Sequence, residues 1–246
     1  MIVTVHQPHF MPWLGYLHRM ARADLFVLLD HVQFERRGYQ NRTQIRMNGE
    51  ARWLTVPVAQ RSREERIVDK EIDNGLHGTP RCWSQIHFQT LRHAYREAPF
   101  LRDYAPALRK IFETRWARLV DLDAALLGLL RDAFGIRTPM VRSSELRAEG
   151  AKSDLILNLC SEVGADALLV GLGGSRRYLD AAQFQSRGIR LVYQEFTHPA
   201  YPQCGAPESS AFTAGLSAID LLLNCGPAAR EILLGESETH AALVAA

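Results

Sequence analysis

The chain of 246 residues has an ordinary globular composition, with 47% hydrophobic residues, 23% charged residues and a formal net charge of +2. This composition gives no reason to expect disorder over most of the chain. The near balance of charges gives no net-charge argument for a nucleic-acid partner or a membrane surface. No stretch approaches the roughly 20 apolar residues that span a bilayer, and we therefore expect no transmembrane segment.

The four cysteines, Cys82, Cys160, Cys204 and Cys225, are far apart and form no CxxC pair. The start of the chain shows no signal-peptide pattern. Both features predict reduced thiols and a cytoplasmic location.

The first part of the chain is predicted to form a parallel βαβ unit. A β-rich run over residues 2–6 precedes a proline-punctuated loop over 7–12 and a helical pattern over 13–23. The apolar run 25–30 is typical of a strand buried on both faces. Parallel pairing of the two strands implies a right-handed crossover.

Two further strands are predicted before the helical segment of the chain. Residues 53–58 form a third candidate strand after a loop over 33–49, and residues 67–73 form a fourth. Helical spacing of apolar residues then predicts helices over 83–98, 106–116 and 119–134. We interpret residues 79–135 as a helical insertion or cap.

Alternating elements return after the insertion. The patterns predict strands over 140–142, 167–170 and 189–194, and helices over 153–163, 179–186 and 218–225. We therefore predict an α/β fold with a Rossmann-like, mainly parallel sheet. Its core domain comprises residues 1–78 and 136–235, and residues 236–246 form a frayed tail.

The motif HQPHFMPWLGY, residues 6–16, lies between the first predicted strand and the first predicted helix. Open α/β sheets bind ligands at this edge, and backbone N–H groups at a helix start favour an anion. The candidate ligand contacts here are Gln7, Trp13, Gly15 and Tyr16. A rigid turn whose histidines satisfy backbone groups is the alternative.

Three residues are candidate catalytic groups. His6 and His9 have the spacing of some metal-binding pairs, but no third ligand is evident, so acid–base chemistry is favoured and no metal is predicted. Asp30 directly follows the second predicted strand. Its carboxylate could orient a histidine, bind a ligand hydroxyl or cap a helix.

Four other segments contain candidate ligand-binding residues. The amides and guanidinium of YQNR suit a carboxylate, phosphate or sugar, and the glycine-rich GLGGSRRYL could cradle a phosphate with backbone N–H groups. An exposed loop and a tight turn are the alternatives. The predicted contacts in these segments are Gln33, Asn41, Arg42, Gly171, Gly173, Gly174, Arg176, Tyr178, Tyr201 and Gln203.

These motifs together resemble the WbqC-like protein family. HQPHFMPWLGY, DHVQF, YQNRTQIR, WLTVPV, GLGGSRRYLD, YQEFTHPAYPQ and FTAGLSAIDLLLNCG occur in order over residues 2–227. The resemblance implies biosynthesis of bacterial surface polysaccharide such as O-antigen, or of specialised metabolites. WLGY and DLFVLLDHVQF are also weakly similar to nucleotidyltransferases such as pantothenate synthetase, which implies a HUP-type sheet. Trp13 and Tyr16 stand where that family has histidines.

The leading functional hypothesis is a transferase with a small-molecule substrate. It binds a nucleotide such as ATP, a nucleotide-sugar or an adenylate-like ligand, and transfers a group to an amino or hydroxyl acceptor. His6 or His9 acts as acid or base, Asp30 orients, and Arg42 and Arg176 stabilise developing negative charge.

Two alternatives stay open at this point. One is a non-catalytic partner protein of a glycan-biosynthesis complex, which predicts exposed aromatic anchors. The other is acyl or aminoacyl transfer from a carrier-protein thioester, with Cys160 or Cys204 as a candidate thiol. Neither cysteine has a sequence context typical of activation. A homo-oligomer is compatible with each hypothesis.

Overall fold

The computed structural model describes residues 1–171, 173, 179–204 and 212–235. The described strands are β1 (Ile2–His6), β2 (Leu25–Leu28), β3 (Arg42–Met47), β4 (Glu50–Thr55), β5 (Met140–Arg142), β6 (Ala167–Val170) and β7 (Arg190–Tyr193). The described α-helices are α1 (Leu14–Ala21), α2 (Trp83–Ala94), α3 (Leu101–Glu113), α4 (Leu119–Ala133), α5 (Lys152–Glu162), α6 (Ala181–Ser186), α7 (Ala218–Cys225) and α8 (Ala229–Leu234).

Five of the described strands form a parallel sheet in the order β5-β2-β1-β6-β7. The predicted α/β class with a mainly parallel, Rossmann-like sheet is confirmed. The chain builds outward from β1 through β2 to β5, and then returns to the other side of β1 with β6. The strand order therefore reverses between β1 and β6, which is where open α/β sheets bind ligands.

The sheet is covered on both faces, and β2 shows why its sequence is a continuous apolar run. Phe26 and Leu28 pack in one buried cluster, whereas Val27 and Leu29 pack in another. Successive side chains of a strand point to opposite faces, so a strand covered on both sides needs apolar residues throughout. Each fully buried side chain of this size contributes roughly 1.5–3 kcal/mol.

The two clusters divide the helices between the faces of the sheet. The larger cluster joins β2 to buried side chains of α1, α2, α3, α4, α7 and α8, and it also includes Ile45 of β3. The smaller cluster packs α5 and Phe184 of α6 against Val3 and Val27. The three helices of residues 83–133 thus share one core with α1 and α7.

A β-hairpin replaces the loop that was predicted over residues 33–49. Strands β3 and β4 pair antiparallel in a two-stranded sheet of their own, with Met47 opposite Glu50. Asn48 and Gly49 form the connection at φ values of 54° and 81°. An Asn-Gly pair favours this type of two-residue turn because both positions need positive φ. The third strand predicted over 53–58 is part of this hairpin and does not join the parallel sheet.

Three other elements differ from the sequence prediction. Residues Ile67–Asp69 form a short 3-10 helix where a strand was predicted. Helix α3 was predicted to begin at Pro106, but it begins at Leu101 and contains Pro106 in its interior. The reason is that the buried Leu108 and Phe112 continue an apolar face that begins one turn earlier. Helix α8 was not predicted. None of the described helices is long and apolar enough to cross a bilayer.

Candidate functional site

The parallel strands bring polar residues from distant parts of the chain to one edge of the sheet. The residues that follow the strand ends define this edge, the carboxyl rim: Gln7, Asp30, His31, Ser143, Ser144, Gly171 and Gln194. Backbone hydrogen bonds continue the pairing to the rim, because Leu29 N donates to His6 O at 2.8 Å and Gln194 N donates to Val170 O at 2.7 Å. His6 is the last residue of β1 at the same edge.

His6, His9 and Tyr16 form a compact aromatic cluster beside the end of β1. The ring centroid of His6 lies 4.7 Å from that of His9 and 4.5 Å from that of Tyr16. The Tyr16 hydroxyl donates to Gln7 O at 3.3 Å. The structure therefore brings together four of the residues predicted for the first motif.

The hydrogen bond of His6 fixes the proton on its neutral ring. Its Nδ1 lies 3.0 Å from Gln7 O. A carbonyl oxygen only accepts hydrogen bonds, so Nδ1 must carry the hydrogen and Nε2 keeps its lone pair. His6 is half-buried, so this nitrogen can act as a proton acceptor.

His9 and Tyr16 are held in their neutral forms by burial. Burial lowers the pKa of His9 from 6.5 to about 4, and its Nδ1 is buried without a hydrogen-bond partner among the described residues. Burial, and secondarily the charge of Asp123, raise the pKa of Tyr16 well above its usual value. At neutral pH the cluster therefore has no charge of its own on these two rings.

A row of aromatic rings leads from His9 to the protein surface. The His9 and Tyr39 rings stack at 5.5 Å, and the Tyr39 and Trp53 rings lie 5.6 Å apart. Tyr39 and Trp53 are each 42% exposed. The parts of both rings not covered by His9 or Arg42 are suited to contact with a planar or sugar ring.

Asn41 and Arg42, two predicted ligand contacts, bind their own loop and hairpin. Asn41 Nδ2 donates to Val56 O at 2.8 Å. The Arg42 guanidinium lies 4.2 Å from the Trp53 ring centroid, and its Nε donates to Gly38 O at 3.2 Å. The described contacts of both side chains position the hairpin. Gln40 connects this loop to the rim, because its Nε2 donates to Gln7 Oε1 at 2.8 Å.

Asp30 is fully buried and accepts three hydrogen bonds from the segment that follows β5. Ser143 Oγ donates to Oδ1 at 3.1 Å, Ser144 N donates to Oδ1 at 2.9 Å, and Ser144 Oγ donates to Oδ2 at 2.9 Å. His31 lies in the same network, with its Nδ1 2.6 Å from Ser143 Oγ. Asp30 was predicted as a site residue from the sequence, whereas His31, Ser143 and Ser144 were not.

Helix α1 places a buried guanidinium against the glycine at the end of β6. A Cβ at Gly171 would lie 2.7 Å from Arg19 Nη1, so only glycine leaves room for this approach. Gln194 Nε2 donates to Gly15 O at 2.8 Å and lies 3.0 Å from His18 Nδ1. Gly15 and Arg19 are four residues apart on α1, a spacing that puts both on the side facing β6 and β7.

Arg19 is a residue that the sequence analysis missed. It is 7% exposed and lies at the point where the strand order reverses. A mostly buried arginine needs compensating partners in the folded protein. The signal in the sequence was its position one turn after Gly15 in the predicted first helix.

Tyr201 and Gln203, also predicted ligand contacts, lie in a buried polar network behind the hairpin. Gln203 accepts from Arg46 Nη1 at 2.8 Å and donates to Asp220 Oδ2 at 2.8 Å. Tyr201 is 5% exposed, and its electrostatic interaction with Asp220 contributes to a raised pKa after burial, the main cause. The described contacts of these two residues are with protein groups.

The other predicted contacts are distributed as follows. Trp13 packs over Gly15 and lies 5.7 Å from the Phe196 ring. Gln33 lines a cavity of about 420 Å³ after β2, together with Gln60, Ser62 and Arg63. Gly173 is exposed, with open space where a Cβ would stand. Gly174, Arg176 and Tyr178 lie outside the described residues. Within the described part of the chain, no group of three or more His, Cys, Asp or Glu side chains could hold a metal ion.

The sheet order and the polar rim define a Rossmann-like α/β protein with a candidate ligand site at its switch point. The sequence model of the WbqC-like protein family matches residues 7–232, and the chain belongs to this family. The uncharacterised protein Rv1507c of Mycobacterium tuberculosis (strain ATCC 25618 / H37Rv) is 27% identical over 233 residues, which cover 94% of this chain and 96% of that protein. No solved structure matches. None of these matches supports the weaker resemblance to pantothenate synthetase.

Proposed function

We propose that this chain is a group-transfer enzyme of bacterial surface-polysaccharide or specialised-metabolite biosynthesis. It binds a nucleotide, nucleotide-sugar or adenylate-like ligand at the carboxyl rim and transfers a group to an amino or hydroxyl acceptor. The observation that supports this proposal most is the pair of groups on either side of the switch point. Arg19 lies against Gly171 at the end of β6, and His6, whose Nδ1 is directed to Gln7 O so that the neutral ring keeps a lone pair on Nε2, lies at the end of β1.

The Arg19 side of the rim suits a phosphate group. Guanidinium groups bind phosphate oxygens in a bidentate manner, and Arg19 lies at the point where the strand order reverses. A glycine at the end of β6 permits a ligand or a side chain to approach the backbone closely. The anionic part of the ligand is therefore expected beside Arg19, at the rim end of α1.

The His6 side of the rim suits proton transfer. A neutral imidazole with its hydrogen on Nδ1 accepts a proton at Nε2 from an attacking hydroxyl or amino group, and returns it to the leaving group. His9 and Tyr16 enclose this ring and exclude water from one side of it. Neither needs to change its protonation state for this step.

Two features support separate binding places for the two substrates: one for the base or sugar ring of the donor ligand and one for the acceptor molecule. The exposed Tyr39 and Trp53 offer stacking faces next to His9. The cavity of about 420 Å³ after β2 offers the amides of Gln33 and Gln60 and the charge of Arg63, groups that bind hydroxylated or acidic molecules.

The exposed Tyr39 and Trp53 also favour a second candidate function, a non-catalytic partner protein. The buried rim residues support the enzyme instead, because a docking surface needs no fully buried carboxylate with three donors. A cysteine nucleophile for thioester chemistry receives little support. Burial raises the pKa of Cys160 to about 12 and that of Cys204 to about 11, so both stay protonated at neutral pH.

Thermal denaturation in the presence of ATP, UDP-glucose, ADP or UDP tests the proposal. A ligand that binds only the native state stabilises it by about 2.7 kcal/mol at a concentration of 100 Kd. We expect at least one of these compounds to stabilise the wild type and Gly173→Ala, where a Cβ has open space. Gly171→Ala displaces Arg19 and is expected to weaken binding at least tenfold.

Two results would count against the proposed function. One is that none of these compounds shifts the melting temperature of the wild type. The other is that a compound stabilises Gly171→Ala and Gly173→Ala to the same extent as the wild type, because binding would then be independent of the Arg19 position.

A further inference from the structure

A three-residue hydrogen-bonded chain connects a buried carboxylate to a half-buried imidazole at the carboxyl rim. Asp30 and His31 follow β2, and Ser143 follows β5, its parallel neighbour. Ser143 Oγ lies 2.6 Å from His31 Nδ1, 3.1 Å from Asp30 Oδ1 and 3.0 Å from Asp30 N. Ser143 is 1% exposed, so water does not compete for its hydroxyl.

The numbers of donors and acceptors determine which atom carries the hydrogen in each hydrogen bond among Asp30, Ser143 and His31. The Ser143 hydroxyl has one hydrogen and two lone pairs. Asp30 N must donate to it, and an ionised Asp30 Oδ1 can only accept from it, so the single hydrogen is directed to Asp30. The second lone pair then accepts from His31, and His31 Nδ1 carries the hydrogen. Nε2 of the neutral ring keeps its lone pair.

The reverse arrangement places two unshielded lone pairs against each other. If Ser143 donated to His31 Nδ1, its oxygen would face the Asp30 carboxylate at 3.1 Å without a hydrogen between them. Burial makes such a contact more costly than it would be in water. The geometry therefore favours the tautomer of His31 with its hydrogen on Nδ1.

We propose that His31 is a second proton acceptor at the rim, positioned by Asp30 through Ser143, and that its substrate is the hydroxyl or amino group of a bound acceptor. His31 takes the place of His6 in this step: one proton moves from the acceptor oxygen or nitrogen to Nε2 as that acceptor atom bonds to the transferred group and the bond to the leaving group breaks. The ring becomes an imidazolium that still donates from Nδ1 to Ser143, and the leaving group then takes the proton. The Asp30 carboxylate, one hydroxyl away, offsets the new charge. The catalytic part of this inference rests on the proposed function, whereas the tautomer does not.

The surroundings of His31 suit a base at neutral pH. Burial is the main cause that lowers its pKa below 6.5, Asp30 opposes this shift, and Arg66 adds to it. His31 is therefore mostly neutral at pH 7 and available to accept a proton. No hydrogen bond in the chain has to change direction when it does so, and this preorganisation lowers the cost of proton transfer.

Nitrogen-15 NMR of the histidine rings tests the positioning directly. We expect wild-type His31 to show the tautomer with hydrogen on Nδ1. Ser143→Ala removes the acceptor and should shift the ring toward the Nε2–H form that neutral histidine prefers in water. Ser144→Ala is the matched control, because it removes a donor to Asp30 and leaves the Ser143 bridge intact.

A chemical probe tests whether Nε2 is available. Diethyl pyrocarbonate acylates neutral, accessible imidazole nitrogens, and mass spectrometry locates the modified residue. At pH 7 we expect His31 to react faster than the buried His87 in the same sample, with the exposed His93 as the reference for full access.

Two results would overturn the inference: an Nε2–H tautomer of His31 in the wild type, or a His31 as unreactive as His87. Both measurements can be made on the wild type alone, so a variant that fails to fold does not remove the test. They also separate this inference from the proposed function. A correct tautomer without any nucleotide binding would contradict the function and leave the positioning of His31 intact.

Discussion

Arg46 Nη1 donates a 2.8 Å hydrogen bond to Oε1 of Gln203, a residue 157 positions later in the chain. The same amide donates to Asp220, whose other carboxylate oxygen accepts from the Tyr95 hydroxyl at 2.9 Å. Tyr95 in turn accepts from Arg46 N at 3.2 Å. This network joins β3, the end of α2, the loop after β7 and α7, so it fixes the hairpin against the helical layer.

Tyr95→Phe is expected to destabilise the protein by about 1–3 kcal/mol, because it leaves a buried carboxylate oxygen and a buried N–H without their partner. Urea denaturation measures the change. Tyr104→Phe is the control, since the Tyr104 hydroxyl has no hydrogen bond to any of the described residues and this residue is only partly buried. Equal stabilities of the two variants would show that the network contributes nothing.

Two aspartates of α4 are expected to respond to substitution with opposite signs. Asp123 is 1% exposed, and its two carboxylate oxygens have no hydrogen-bond partner among the described residues. Asp121 lies in the first turn and accepts from Arg142 at 2.9 Å. Asp123→Ala should therefore stabilise the protein by about 1 kcal/mol or more, and Asp121→Ala should destabilise it by about 0.5–1 kcal/mol.

The increase in unfolding free energy caused by Asp123→Ala should depend on pH. Burial raises the pKa of Asp123 well above its usual value in the folded state. The unfolded chain therefore loses this proton first, and wild-type stability falls as pH rises through the folded-state pKa. Stability curves at several pH values check the sign. A destabilising Asp123→Ala at neutral pH would mean that the carboxyl group has a stabilising partner.

Gly15 is required by the ring of Trp13. A Cβ at residue 15 would lie 2.2 Å from Trp13 Cη2, well inside van der Waals contact. Gly15→Ala should cost about 1–3 kcal/mol through overpacking. In Trp13→Ala the same substitution should cost much less, and a double-mutant cycle measures this coupling. If the two substitutions have additive effects on stability, the destabilisation by Gly15→Ala does not arise from contact with Trp13.

His87 is expected to make the protein sensitive to acid. It is 6% exposed between Phe10, Trp83 and Phe112, and burial lowers its pKa from 6.5 to about 4. Between these pH values the unfolded chain binds a proton that the folded state does not, so stability falls as pH falls. The loss is about 1.4 kcal/mol per pH unit from this residue.

His87→Gln removes this titration and should reduce the slope of unfolding free energy against pH between 6.5 and 4, while the buried His9 continues to contribute to it. His93→Gln replaces an exposed histidine of the same helix and is the matched control variant. Parallel curves for the wild type and His87→Gln would contradict the assignment.

The parallel sheet could be predicted because its strands are short apolar runs that alternate with amphipathic helices. The run at Leu25–Leu28 shows this directly, since both of its faces are buried. The hairpin was missed because Arg42, Gln44 and Arg46 made its first strand look like a polar loop. Arg42 packs on the Trp53 ring and Arg46 donates to Gln203, contacts outside the strand itself that have no local signal.

The sequence could predict only those site residues that lie directly at the ends of predicted strands. Placing His6 and Asp30 at neighbouring strand ends needs only the periodicity of the sequence. Ser143 lies 113 residues after Asp30, and Gly171 approaches Arg19 only because β6 returns to the other side of β1. These contacts depend on strand order, which propensity and spacing do not determine. Tyr201 and Gln203 were predicted as ligand contacts because they lie in a polar loop sequence. Such a sequence can instead form a buried hydrogen-bonded network, as it does here.

A titration of histidine-selectively labelled protein with ATP or UDP-glucose, followed by NMR, tests the rim site most directly. The ring signals of His6, His9, His18 and His31 should shift in proportion to ligand bound, because all four lie at or next to the carboxyl rim. The signals of His77 and His93 should not move. Binding that shifts His93 or His77 and leaves His6 and His31 unchanged would contradict a ligand site at the rim.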